Sequence, residues 1–189
     1  MDTIELPFDG HVHVIYGFPT VGKTTAQRRI LAAVRGRIDY MSKSPLQVKL
    51  TDTEDWFGGA NVNHQNDIAA RRTFTELMTT SIRYTAGLFV PRNTLAVLFT
   101  SCKVTVRRDY MLAGFFPSSS DSMIANLKER EPRWKELRPR FLEWYDDLMA
   151  SAFFRALDAQ GKAIPLCAGD YLGDHLSVFG RPLPLLHVR

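Results

Sequence analysis

Apolar and polar positions fall into blocks that predict strands and helices in turn. His11–Tyr16, a short β-branched and aromatic run closed by Gly17, predicts a buried strand. From Thr24 to Arg35 the apolar positions Ile30, Leu31 and Val34 follow helical spacing, and Gly36 supplies the stop. Arg37–Met41 offers a second strand. Gln47–Thr51 offers a stronger one, running into the acidic cluster Asp52-Thr53-Glu54-Asp55. Asn66–Ala86 reads as a long helix: Asn66 or Asp67 can cap it, Ile68, Phe74, Met78 and Ile82 share a face, and Gly87 ends it. Thr94–Thr100 is apolar almost throughout, the signature of a strand covered on both faces.

Beyond that strand lie a basic patch, Lys103–Arg108, and a serine-rich loop, Pro117–Ser122. The charged segment Ser122–Arg140 carries Pro132 and Pro139, which predict breaks. Arg140–Gln160 reads as a strong helix with Phe141, Tyr145, Leu148 and Ala152 on one face and Gly161 past its end. Ala163–Ala168 gives a last strand, placed at an edge by Pro165. No internal repeat and no linker divides the chain, so residues 1–189 are read as one domain. Strands alternating with helices imply a three-layer α/β fold around a parallel sheet.

Composition changes this picture little. Apolar residues make up 45% and charged residues 23%, the balance of a folded globular chain. No apolar run approaches the roughly 20 residues of a membrane span. The start, Met1-Asp2-Thr3-Ile4-Glu5, lacks the basic-then-apolar layout of a signal peptide, and a cytoplasmic protein is expected. Cys102 and Cys167 stand far apart without metal-like spacing, which argues against a disulfide framework or a zinc site and for two buried, reduced thiols.

Charge is more informative, because the net +4 is unevenly placed. Basic residues predominate over 22–49 and 103–140, whereas acids predominate over 141–176. A basic face of this kind fits a polyanion, either nucleotide phosphates or a nucleic-acid backbone, or it is a solvated surface without one purpose.

The strongest chemical signal is Gly17-Phe18-Pro19-Thr20-Val21-Gly22-Lys23-Thr24, which matches G-x-x-x-x-G-K-[ST] at every fixed position. The glycines allow backbone N–H groups, through Thr25, to converge on phosphate oxygens. Lys23 is placed for the β/γ-phosphates, the Thr24 hydroxyl for Mg²⁺, and the following helix directs its positive end at the anion. A strand precedes the loop and a helix follows it, the context this motif requires.

On these residues the chain resembles the phosphate-loop (Walker A) nucleoside triphosphate-binding superfamily, and within it the small kinases. Three features favour a kinase. The length is that of nucleotide and nucleoside kinases. Thr94–Thr100 closes on Thr100-Ser101 instead of the acid pair of hydrolytic ATPases, and the acids sit after the earlier strand, at Asp52–Asp55. The guanine-reading Asn/Thr-Lys-x-Asp pattern of GTPases does not occur. The resemblance implies a P-loop kinase-like fold, with ATP and Mg²⁺ bound and a lid within 103–140. Arg107, Arg108, Arg130 and Arg133 would carry charge to the transferring phosphoryl group from that lid. Asp52 and Asp55, favoured over Glu54, would accept the acceptor's proton or order the magnesium shell, with Asp52 a metal ligand. Alternatively the acids form a capping turn. Asp39 is the rival if Arg37–Met41 is the second strand. Trp56 and Phe57 either stack on an acceptor base or pack in the core, Tyr171 and Asp174 lie where an adenine ring rests in such kinases, and His11 and His13 read as structural.

The layout is similar to bacteriophage-type nucleotide kinases, including those that phosphorylate 5-hydroxymethyluracil within DNA, which would place the protein in a host cytoplasm. DNA and a free nucleotide stand level as acceptors. Two other classes remain open: a nucleotide-binding ATPase or regulator without an acceptor, and a DNA-binding module with a structural ATP site.

Overall fold

The computed structural model describes residues 3–39, 43–56 and 68–185, without the side chains of 68–71. Five strands form a parallel sheet flanked by helices, an α/β architecture. In chain order the main elements are β1 (Ile4–Glu5), β2 (Val12–Gly17), α1 (Lys23–Val34), β3 (Gln47–Asp52), α2 (Ile68–Thr85), β4 (Thr94–Thr100), β5 (Met111–Pro117), α3 (Ser120–Arg130), α4 (Trp134–Met149), α5 (Ala152–Ala159), β6 (Ala163–Leu166), β7 (Leu176–Val178) and β8 (Arg181–Pro182). Among the described residues no helix is long and apolar enough to cross a membrane.

The central sheet runs β3-β4-β2-β5-β6. β2 is its middle strand, with β4 on one side and β5 on the other, so the chain reverses its winding direction around β2. Ligands of open α/β sheets bind at such a switch point, beyond the carboxyl ends of the strands. Every residue of β4 is buried, as its unbroken apolar run requires of an inner strand. β3 instead alternates half-buried and exposed positions, as befits an edge.

The chain departs from the sequence expectations in several places. No element is expected over residues 109–116, where Gly114 and the mixed large and small residues carry no clear period, yet β5 runs there. In the sheet Gly114 faces Leu157 and Phe116, and a Cβ there would come within 2.7 Å of both side chains. The serine-rich stretch is no open loop: Ser119 accepts the Ser122 N–H at 3.1 Å and starts α3. Pro139 does not break α4: the helix continues through it to Met149 although the bond from position 139 to the Lys135 carbonyl is lost. Conversely, the expected helix Arg140–Gln160 is two, divided where Ser151 accepts the Phe154 N–H and starts α5. Residues 37–39 make only an isolated bridge, Ile38 to Pro45, so the second strand of the central sheet is β3.

A second sheet, β1-β7-β8, has no counterpart in the sequence reading. It joins the two ends of the chain: β1 pairs with β7, and Phe8 stacks on Phe179 at 5.3 Å. Buried Arg29 of α1 fastens this layer, donating to the Leu183 and Pro184 carbonyls and to Asp174 at 2.6 Å. Cys102 is half-buried and Cys167 exposed, so the expectation of two buried thiols holds for neither in full.

Candidate functional site

β2 ends at Gly17, and the chain turns through 18–22 before α1 begins at Lys23. Packing fixes the turn from several sides. The Phe18 N–H donates to the Phe115 carbonyl of β5, and the Val21 carbonyl accepts the Leu172 N–H. Buried Phe18 lies edge-on to Phe141 and Tyr145 of α4, each ring centroid 6.3 Å away. Gly22 has φ 88°, a left-handed conformation a side chain resists, and the Tyr171 ring covers it closely enough that a Cβ would lie 3.2 Å away. Gly17 is equally constrained by space, since a Cβ would meet Val21 and Lys23 at 3.0 Å.

Two features of this turn suit an anion. The backbone N–H groups of Gly22, Lys23, Thr24 and Thr25 have no partner among the described residues and converge at the amino end of α1. Thr20 is held at φ 87°, costly for a β-branched residue, while its hydroxyl is buried without a hydrogen-bond partner. The Thr24 and Thr25 side chains are exposed beside these donors. The turn therefore fits a phosphate chain, and the Thr24 hydroxyl is free to meet a cation bound to it. Among the described residues no group of three or more His, Cys, Asp or Glu side chains is placed to hold a metal.

Lys23 is buried, and its ammonium touches three neighbours: Glu54 Oε1 at 2.9 Å, Ser101 Oγ at 2.6 Å and the Gly17 carbonyl at 3.5 Å. Ser101 also donates within this cluster, with Glu54 Oε1 at 2.8 Å and the Gly17 carbonyl at 2.9 Å. The carboxyl ends of β2, β3 and β4 thus meet at one ammonium. Burial alone would push the Glu54 carboxyl up, but the Lys23 charge and the hydrogen bonds from Lys23 and Ser101 outweigh it and hold the group below its ordinary value. Asp52, buried at the tip of β3, is shifted the opposite way: desolvation dominates, and Lys23 and the Glu54 N–H only partly offset it.

Of the sequence candidates, the structure brings together Gly17 to Thr25, Lys23 and Asp52. Asp55 is exposed at the end of the 3₁₀ turn Thr53–Asp55. Arg130, at the end of α3, donates to the Thr20 carbonyl at 2.8 Å and so reaches the loop. Arg133 is exposed, 3.9 Å from Glu131. Arg107 and Arg108 are elsewhere. They precede β5, which runs parallel to β2, so they lie at the amino end of the sheet, opposite the loop. The expectation that they reach a transferring phosphate is therefore corrected, and β5 is the reason.

Tyr171 and Asp174 do border the loop, Tyr171 over Gly22 with its hydroxyl 2.8 Å from Glu129, and Asp174 engaged by Arg29. Trp56 packs against the core, whereas Phe57 lies outside the described residues. His13 bonds Asp9 at 2.8 Å, a structural contact. Glu54 and Ser101 are the residues that sequence reasoning undervalued. At Thr53 the chain leaves the two-residue strand period for a 3₁₀ turn, and this change of period, invisible in the acidic run, is what turns Glu54 toward Lys23. No family model matches the chain, and no curated protein and no solved structure matches it.

Proposed function

We propose that the protein is an ATP-dependent phosphotransferase with a P-loop kinase-like fold, which moves the γ-phosphate of ATP to a nucleotide-type acceptor. The acceptor is a free nucleoside or nucleotide, or a hydroxymethylated base in DNA. The observation that carries this reading is the buried Lys23 ammonium, set at the end of the central strand beside four N–H groups without partners among the described residues, and held meanwhile by Glu54 and Ser101. Phosphoryl transfer asks the protein chiefly for positioning and charge, and these are what the turn supplies.

In this reading the N–H groups and the Thr20 hydroxyl hold the phosphate chain, and Lys23 leaves Glu54 to follow the β/γ-phosphates. Thr24 would hold Mg²⁺, which supplies charge neutralisation between phosphate oxygens when bound. Arg130 stands beside the loop on α3, the part of the chain proposed as a lid. The acceptor oxygen forms a bond to the γ-phosphorus as the bond to the bridging oxygen breaks, ADP leaves, and the acceptor proton passes to Glu54 or Asp52. The test is incubation with γ-labelled ATP against nucleosides, nucleotides, plain DNA and DNA containing hydroxymethylated bases. Labelled acceptor is expected, falling at least about a hundredfold in Lys23→Ala. A Lys23→Ala variant with near-normal transfer would remove the loop from the reaction.

A second reading has one observation in its favour. β4 ends without an acid, yet Glu54 of the neighbouring strand end brings a carboxylate to Ser101, where a water could be oriented. Release of inorganic phosphate as the sole product across the whole panel would make the protein an ATPase.

A further inference from the structure

The amino end of the sheet, which the proposed reaction does not use, gathers an aromatic and basic cluster from three separate segments. Phe89 is 85% exposed and Tyr84 76% exposed. Phe89 is rigidly based, and Tyr84 stands in the last turn of α2. The Phe89 ring lies 4.8 Å from His11, which bridges to it through the backbone, and His11 lies 5.6 Å from Tyr110. Tyr110 in turn packs on Gly87, whose positive φ and missing side chain let the ring lie flat against the backbone. Around these rings stand exposed arginines. Arg107 lies over the Tyr110 ring at 4.7 Å, Arg108 is next to it in the chain, and Arg83, beside Tyr84, donates to the Thr105 carbonyl at 3.3 Å. Acids also face this group: Asp109 lies 2.9 Å from Arg107, and Asp9 accepts the His11 N–H at 3.1 Å.

We infer that this face binds single-stranded nucleic acid, with Phe89 and Tyr84 as stacking platforms and Arg83, Arg107 and Arg108 along the phosphate backbone. A flat exposed ring offers a surface any base can stack on, and interleaved guanidinium groups match the charge repeat of a single strand. A duplex hides its base faces, so it gains only the charge contribution. The inference does not depend on the kinase reading, because it concerns the opposite end of the sheet and needs neither ATP nor turnover.

Fluorescence anisotropy with a labelled oligothymidylate of about 20 nucleotides, titrated with the full-length chain, tests it. Binding is expected, with a log–log salt slope near −2 for about three phosphate contacts. Phe89→Ala should weaken binding about tenfold with the slope unchanged, since a stacked base is lost and no charge. Arg107→Ala with Arg108→Ala should make the slope shallower. Asp109→Asn should tighten binding by freeing Arg107, a gain that no merely structural role would produce. The inference is overturned by an absence of binding at low salt. It is equally overturned by affinity unchanged in Phe89→Ala and Tyr84→Ala, by duplex bound as tightly as single strand, or by Phe89→Ala dissociating a dimer, which would make the face an interface between copies.

Discussion

Glu54 and Asp52 stand two residues apart and are shifted in opposite directions, because one meets the Lys23 ammonium and the other meets mainly desolvation. Glu54 therefore competes with phosphate for Lys23. Glu54→Gln should tighten ATP binding severalfold by removing the competitor, while slowing transfer about 10²-fold or more if the carboxylate takes the acceptor proton. Isothermal titration beside single-turnover rates separates the two, and an unchanged ATP affinity would show that the pair does not gate the lysine. For Asp52 the sign is reversed. Its raised value means the folded state favours the proton, so its contribution to stability is present at low pH and lost as pH rises through the folded-state value. Asparagine preserves the cap on the Glu54 N–H without the buried charge. Asp52→Asn should then gain stability relative to wild type at about pH 7 and little at about pH 4, in urea titrations without nucleotide or magnesium. Equal effects at both would contradict the burial argument.

Elements were legible in proportion to how far their burial imprints a period. β4, apolar at nearly every position, and α1, with its glycine stop, stand where the sequence puts them. β5 was hidden because it packs a glycine under Leu157, and the long helix predicted over 140–160 was overextended because Ser151, read as a helical residue, is a cap. Ser151→Ala removes the acceptor for the Phe154 N–H and should cost about 1 kcal/mol in urea unfolding. A change within experimental error would mean that α5 is held by its packing alone. Gly87, which follows α2, packs against Tyr110 just before β5, and a methyl there would land in the Tyr110 ring and force a strained φ. Gly87→Ala should cost more than about 1 kcal/mol and expose Tyr110, readable as lost stability and altered tyrosine fluorescence. Retention of full stability would show that the ring moves aside freely.

On the scale of the whole molecule, the phosphate turn was legible because every fixed position lies within eight consecutive residues, whereas the sheet β1-β7-β8 and the two-sided placement of the arginines depend on contacts between distant segments. The central strands separate the phosphate turn from the aromatic and basic face by about 15–20 Å, given about 3.3 Å per residue. Groups that far apart without shared partners act additively. ATP with Mg²⁺ at about a hundred times its dissociation constant should stabilise the fold by about 2.7 kcal/mol, raising the melting temperature by roughly 5–10 °C. Lys23→Ala should abolish most of that shift, and Arg108→Glu should leave it intact. In the reverse direction, saturating ATP should change oligothymidylate affinity by less than about twofold, since binding free energies couple reciprocally and the two ends share no group. Affinity that changed tenfold or more with ATP would instead reveal that the sheet transmits between its ends. The route would run through β5, whose Phe115 carbonyl holds the phosphate turn at one end and whose preceding Tyr110 anchors the aromatic face at the other.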